Sequence, residues 1–235
     1  MFYMSQPFHS YSQEPVGMWA LCQLDHEGNY KQFLTEGEKK DYNTPKGHMR
    51  KMEWLSSRVA LKKILMEENL ISSPLNCQTE KDRFGRPHLT IDKEDSSTTM
   101  NCSVSHKKGM ASVCISWFPN IKIGIDIETI SEKPWKLQSA FVGQEDSLSN
   151  ISESPKYYTV LWACKEAASK AMGLGMGLDF KELKVTGDDK KRFSILRDVQ
   201  ELMHGTYFFF RNFIVALCLT NHKEPDDPWY HTDYS

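Results

Sequence analysis

The sequence predicts an α+β fold made of two similarly built halves. Three observations lead there. A strand-like run is followed by a long amphipathic stretch and further strand-like runs up to Trp117. The same order then recurs from Ile121 onward, and Gly- and Pro-containing polar segments separate the pieces.

Taken in order, Val16–Leu24 reads as a strand with a turn around Asp25–Asn29. Over Lys46–Asn69 the apolar residues Met52, Leu55, Val59, Ile64 and their neighbours recur at three- and four-residue spacing, which predicts a helix. Ile71–Thr99 is polar and broken by Pro74 and Pro87, and is expected to be mostly loop. Cys102–Ser105 and Ala111–Trp117 read as strands around a turn at Lys107–Gly109. In Ile121–Glu128 the isoleucines 121, 123, 125 and 127 share one face, and Asp126 and Glu128 share the other. After the polar stretch Ser131–Lys156, a second helix is expected over Lys156–Met172, closed by Gly173. Thr206–Phe210 and Phe213–Thr220 form a predicted hairpin turning at Arg211-Asn212. Residues 1–120 and 121–220 are expected to be the two halves, joined near Phe118–Asn120, with 221–235 a flexible tail.

A chain of 235 residues with 40% hydrophobic and 26% charged residues can build its core without metals or disulfides. The formal net charge of −2 excludes a general polyanion binder, so no nucleic acid partner is expected. Attraction for phosphate must come from local clusters of Lys and Arg. The six cysteines form no CxxC pair, which points to buried free thiols in a reducing compartment. Met1–Gln13 lacks a basic start followed by an apolar stretch, so no signal peptide is expected. Phe213–Leu219, the longest apolar run, is far short of the ~18–20 residues that span a bilayer. A cytoplasmic protein without a membrane partner follows.

Two segments carry candidate chemistry. In Gly124-Ile125-Asp126-Ile127-Glu128 the two-residue strand period projects both carboxylates to one side. Such a pair alone more often marks a strand end facing water. Read as a site, paired carboxylates suit Mg²⁺, which binds a few acids and keeps phosphate oxygens and water for its remaining positions. In the second helix Trp162, Glu166 and Lys170 form one stripe at i, i+4, i+8, with Lys165 beside it. Alone, this reads better as a solvated Glu166–Lys170 pair worth a few tenths of a kcal/mol. Further cations and polar groups lie along the chain at Arg58, Arg86-Pro87 and Ser105-His106.

In this order and spacing the segments resemble the 4′-phosphopantetheinyl transferase superfamily. Its (I/V)G(I/V)D strand is matched by Ile123-Gly124-Ile125-Asp126, and its (F/W)xxKExxxK helix by Trp162 through Lys170. Ala171-Met172-Gly173-Leu174-Gly175 resembles the continuation of that helix. Phe84-Gly85-Arg86-Pro87 resembles the family's GRP turn, and Cys102 through His106 its NxSH strand. Glu53 through Arg58 resembles the helix that leads to a phosphate-binding arginine. The length is similar to the monomeric surfactin-synthetase type, a pseudo-dimer of two α+β halves with the active site in the cleft between them. Lys107-Lys108 departs from the small or hydroxyl residues many relatives carry there, which bears on the loop that meets the carrier.

The resemblance implies transfer of the 4′-phosphopantetheine arm of coenzyme A to a serine of an apo-acyl or apo-peptidyl carrier protein, with release of adenosine 3′,5′-bisphosphate. Asp126, Glu128 and Glu166 would hold Mg²⁺, and Glu166 or a water it orients would take the serine proton. Lys165 and Lys170 would offset phosphate charge. His106 with Ser105, Arg58 and Arg86 would grip the nucleotide end, while the Gly85-Arg86-Pro87 backbone lies against adenine. Glu166, Lys170 and His106 are thus the catalytic candidates. A metal-dependent nucleotide phosphohydrolase and a non-catalytic coenzyme A-binding protein are the competing readings.

Overall fold

The computed structural model describes residues 1–10, 14–83, 85–93, 96–149, 151–173, 178–197 and 200–220. The expected tail, Phe84 of the GRP turn, and Leu174-Gly175 lie outside them. Two six-stranded sheets organise the chain, each backed by one long helix. The first sheet contains β1 (Phe2–His9), β2 (Pro15–Gln23), β3 (Cys77–Lys81), β4 (Pro87–Lys93), β5 (Ser96–Lys107) and β6 (Met110–Ser116), in the order β1-β2-β6-β5-β4-β3. Helix α1 (Glu36–Asp41) and the long α2 (His48–Glu67) lie between β2 and β3 in sequence. The second sheet is built from β7 (Ile123–Thr129), β8 (Ser147–Leu148), β9 (Lys184–Gly187), β10 (Arg192–Arg197), β11 (Gln200–Phe210) and β12 (Phe213–Thr220), ordered β7-β12-β11-β10-β9-β8. Short helices α3 (Glu132–Lys136) and α4 (Gln138–Phe141) and the long α5 (Pro155–Met172) connect β7 to it.

Strands β2-β6-β5-β4-β3 and β7-β12-β11-β10-β9 follow the same path: a first strand, a helix, then a four-stranded meander returning to that first strand. The two-half α+β architecture read from the sequence is therefore present. Each helix packs on its own sheet, and the opposite faces of the sheets meet. Trp19, Leu21, Met110 and Cys114 from the first pack with Ile123, Ile125, Ile127, Val215 and Leu217 from the second. The isoleucine face of β7 is thus its face toward the first half.

The expectation that residues 71–99 are mostly loop does not hold. Strands β3, β4 and the start of β5 run through them, antiparallel and in continuous register. They form the outer part of the sheet, with Cys77, Thr79, Leu89 and Ile91 buried on one face and Gln78, Glu80 and Thr90 on the other; the buried positions are few and include the polar Thr79, so no long apolar alternation marks them. Strand β1, which pairs along nearly its whole length with β2, also carries no such mark.

A buried ion pair recurs in both halves. In the first, Lys62 of α2 donates to Glu38 at 2.5 Å and to the Phe33 carbonyl, and Glu38 also accepts the Thr79 N–H of β3. In the second, Lys165 of α5 donates to Asp146 at 2.6 Å and to the carbonyls of Phe141 and Phe180, while Asp146 accepts the Val185 N–H of β9. Each pair ties the long helix to the loop before it and to the first strand of the meander. All six cysteines are buried free thiols, as expected, and burial pushes Cys22, Cys77 and Cys102 up to about 12. No helix among the described residues is long and apolar enough to cross a membrane.

Replacing Asp146 by Ala leaves the Lys165 ammonium, fully buried, without its counter-charge. The expected loss is about 3–5 kcal/mol, read as a lower denaturant midpoint. Desolvation already holds Lys165 below the ordinary lysine range. The folded variant should therefore bind that proton more weakly than the unfolded chain, so the loss should shrink as pH rises. Lys165→Met combined with Asp146→Leu should recover most of it; a double variant as unstable as Asp146→Ala would refute this account.

Candidate functional site

The site begins with a missing side chain. Gly124 of β7 lies directly under α5, where an added Cβ would sit 1.9 Å from the Ala167 carbonyl oxygen and 2.7 Å from the Ala171 nitrogen. Only glycine on the strand, facing alanines on the helix, permits this approach. Helix α5 starts at a Ser154 cap whose hydroxyl accepts the Tyr157 N–H, and it ends at Gly173 in the left-handed conformation, φ 69°. Seated this closely, it brings Glu166 and Lys170 beside the acids two and four positions beyond Gly124.

Asp126 is the centre of the cluster. Its Oδ1 accepts the Ser105 hydroxyl at 2.7 Å and the Lys170 ammonium at 2.7 Å, and Lys170 also donates to the Ile125 carbonyl. Three elements, β5, β7 and α5, are thereby joined across the seam between the sheets. Glu128 pairs with Lys107 of β5 at 2.5 Å. Strand β7 is the edge of its sheet, and β5 serves that edge with side chains: Ser103 accepts the Ile125 N–H at 3.2 Å, with Ser105 and Lys107 following along the same face.

Burial first, and then the charge of Asp126, hold both Glu128 and Glu166 above the ordinary carboxylate range; Lys170 pulls the other way on each. The three acids thus sense one another. Among the described residues, however, no three His, Cys, Asp or Glu side chains are gathered as a ready ligand set. Lys170 and Lys107 hold two of the acids instead. The donor chemistry nevertheless suits a hard cation. The three groups are carboxylates, and the Oδ2 of Asp126 is buried with no hydrogen-bond partner in the structure.

The other candidates divide. Arg86 and Pro87 line a cavity of about 410 Å³ at the seam together with Ser103, Lys170 and Gly173. The Arg86 guanidinium crosses to the end of α5, where a Cβ on Gly173 would meet it at 2.2 Å. A larger groove, about 1130 Å³ between β1 and β9–β11, contains none of the acids. His106 lies on the other face of β5 from Ser105, toward α2, with its Nδ1 3.4 Å from Glu53. Arg58 is buried against the Trp54 ring, 4.1 Å from its centroid, and bonds the Ser57 hydroxyl. Lys165, expected at the phosphates, is turned into the core of its half and held by Asp146. Trp162 packs at the core edge between Phe141 and Phe180.

Two participants were not identified from the sequence. Lys107 entered only as a departure near the carrier loop, yet it contacts Glu128. Glu53, which fixes the β5–β6 turn by accepting the Gly109 N–H at 2.9 Å, also neighbours His106. The alternation of β5 was the available signal for Lys107, because it shares the face of Ser105.

Residues 122–218 match the model of the 4′-phosphopantetheinyl transferase superfamily. Over 152 residues the chain is 30% identical to the L-aminoadipate-semialdehyde dehydrogenase-phosphopantetheinyl transferase of Schizosaccharomyces pombe, a match that covers 56% of this chain and 58% of that relative. The crystal structure of holo-(acyl-carrier-protein) synthase from Thermotoga maritima is similar over 45% of this chain and 66% of its own, with 22% identity and a TM-score of 0.37.

Because its proton is held more tightly in the folded state than in the unfolded chain, ionised Glu166 opposes folding, and stability falls as pH rises through that window. Glu166→Gln should therefore melt higher at pH 7 without added divalent cation, by about 1–3 °C for a chain this size. The gain should vanish below about pH 4, where the native carboxyl is itself protonated. A variant no more stable at neutral pH would contradict the described crowding of the acids.

Proposed function

We propose that this chain, whose residues 122–218 match the model of the 4′-phosphopantetheinyl transferase superfamily, transfers phosphopantetheine from coenzyme A to a carrier-protein serine. The observation that carries the reading is the seam cluster itself. Asp126 joins Ser105 of one half to Lys170 of the other, and Glu128 and Glu166 lie within reach of its charge. The superfamily motifs thus meet at one place although they lie on three separate elements.

Phosphoryl transfer needs alignment, charge neutralisation and a route for the hydroxyl proton. Asp126, Glu128 and Glu166 would hold Mg²⁺, which when bound offsets the charge of the diphosphate oxygens. Lys170, on the rigid helix and lining the seam cavity, supplies a fixed positive charge for the same oxygens. Arg86 and Pro87 border that cavity and would receive the nucleotide end. Glu166, or a water it orients, would take the proton of the attacking serine. His106 and Arg58 would act on the nucleotide end only from the α2 side, and Lys165 is left to stability. We expect the protein to work as a cytoplasmic monomer, with the halves dividing near residue 120.

The test is mass spectrometry of apo-acyl and apo-peptidyl carriers incubated with the protein, coenzyme A and Mg²⁺. A gain of one phosphopantetheine is expected. Free phosphopantetheine formed without any carrier would mean a hydrolase, and neither product would mean a binding protein. Within the reaction, Glu166→Gln should lower kcat by about 10²–10⁴-fold, as for loss of a general base, and excess Mg²⁺ should not restore it. Asp126→Asn should recover part of its activity at high Mg²⁺. Equal recovery of the two would reduce Glu166 to a ligand.

A further inference from the structure

Three carboxylates and two ammonium groups share the seam, and the two ammonium groups are held differently. Lys170 projects from α5, is 28% exposed, and donates both to Asp126 and to the Ile125 carbonyl. Lys107 stands at the last position of β5, is 37% exposed, and is tied by its ion pair to Glu128. The turn that follows, Lys108-Gly109, is tight, with φ of 47° and 82°, and its Gly109 N–H is fixed by Glu53. The backbone at Lys107 is therefore anchored while its four-carbon stem is free to swing.

Electrostatics decides what a divalent cation would meet. With both lysines in place the five groups carry one net negative charge, too little to attract a dication that must also approach two ammonium groups closely. One ammonium must withdraw. Lys170, with two acceptors and a helix beneath it, is the costlier to move. Lys107 is the more exposed of the two, and Glu128 is the acid it would release.

We propose that Lys107 is a resident counter-cation of the acid cluster, which holds Glu128 until a divalent cation and an anionic diphosphate arrive together and then transfers its charge from the carboxylate to the phosphate oxygens. This rests on the proposed transferase reading. It follows that the cation and coenzyme A bind cooperatively, each raising the affinity of the other by the same factor. Attraction between the cation and the diphosphate couples the two in any case; a lysine at position 107 adds to that coupling, because a small or hydroxyl residue there would leave Glu128 open to the metal at all times.

The experiment uses Mn²⁺ as the probe and measures its binding directly, by the paramagnetic resonance of the free ion, in the native chain and in Lys107→Met, Lys107→Arg and Asp126→Asn. Without coenzyme A, Lys107→Met should bind Mn²⁺ about 5-fold or more tightly than the native chain, the lower end of ordinary coupling between sites. Coenzyme A should tighten Mn²⁺ binding in the native chain and in Lys107→Arg, and clearly less in Lys107→Met. Unchanged melting temperatures for the two Lys107 variants would exclude a folding effect. Weaker Mn²⁺ binding by Asp126→Asn with no tightening in Lys107→Met would overturn the role of Lys107 and leave the functional reading standing. If the native chain takes up no Mn²⁺ even with coenzyme A present, beyond what coenzyme A binds alone, or Asp126→Asn binds it as tightly as the native chain, the acids are not a metal site and both fall.

Discussion

The close seating of α5 on β7 is the constraint on which the candidate site depends. Gly124 has no side chain, and the helix backbone at Ala167 and Ala171 occupies the space one would fill. Every other contact of the cluster presupposes that distance. Lys170 reaches Asp126 only from a helix this near, and Glu166 is crowded by Asp126 for the same reason. A β-branched or even a methyl side chain at 124 would push the helix outward, separating Lys170 from Asp126. The glycine in the strand motif and the small residues in the helix motif are two sides of one packing requirement.

The paired clamps, Lys62–Glu38 and Lys165–Asp146, hold each long helix against its own sheet. A buried lysine is an expensive way to do this, since both charges must be desolvated. Its geometry explains the use. One ammonium has three donors, enough to join a loop carbonyl and a carboxylate, and that carboxylate in turn receives a strand N–H. One residue thereby fixes three segments that are far apart in the chain. The repeat of this arrangement in both halves is a residue-level symmetry that the sequence does not display, because Glu38 and Asp146 differ in type and their spacing to the lysines is not the same.

How much could be read in advance depended on whether local periodicity carried the information. The alternation of Ile123 to Glu128, the helices containing Leu55 and Leu161, and the hairpin at Arg211-Asn212 all appeared as expected, since each carries regularly spaced apolar residues that the fold buries. Strands β3 and β4 did not, because their buried side chains, Cys77 and Thr79 in one and Leu89 and Ile91 in the other, are too few to give a periodic signal. Lys165 shows a different limit. It stands beside Glu166 in a motif, and only its partner, 19 residues earlier in a polar stretch, reveals that it turns inward. For Ser105 and His106 the information was available: adjacent strand residues face opposite ways, so one meets β7 and the other α2.

Among the described residues, strand β1 has no counterpart in the second half. It pairs along β2, the position that β7 holds in the other sheet. In a symmetric duplication both first strands would offer a bare edge, and each could receive hydroxyl and ammonium groups from the opposite meander. Here one edge is capped by eight residues of backbone pairing and the other is left open to Ser103, Ser105 and Lys107. The N-terminal strand therefore breaks the degeneracy of the repeated architecture, and of two equivalent sheet edges it leaves one open to the other half.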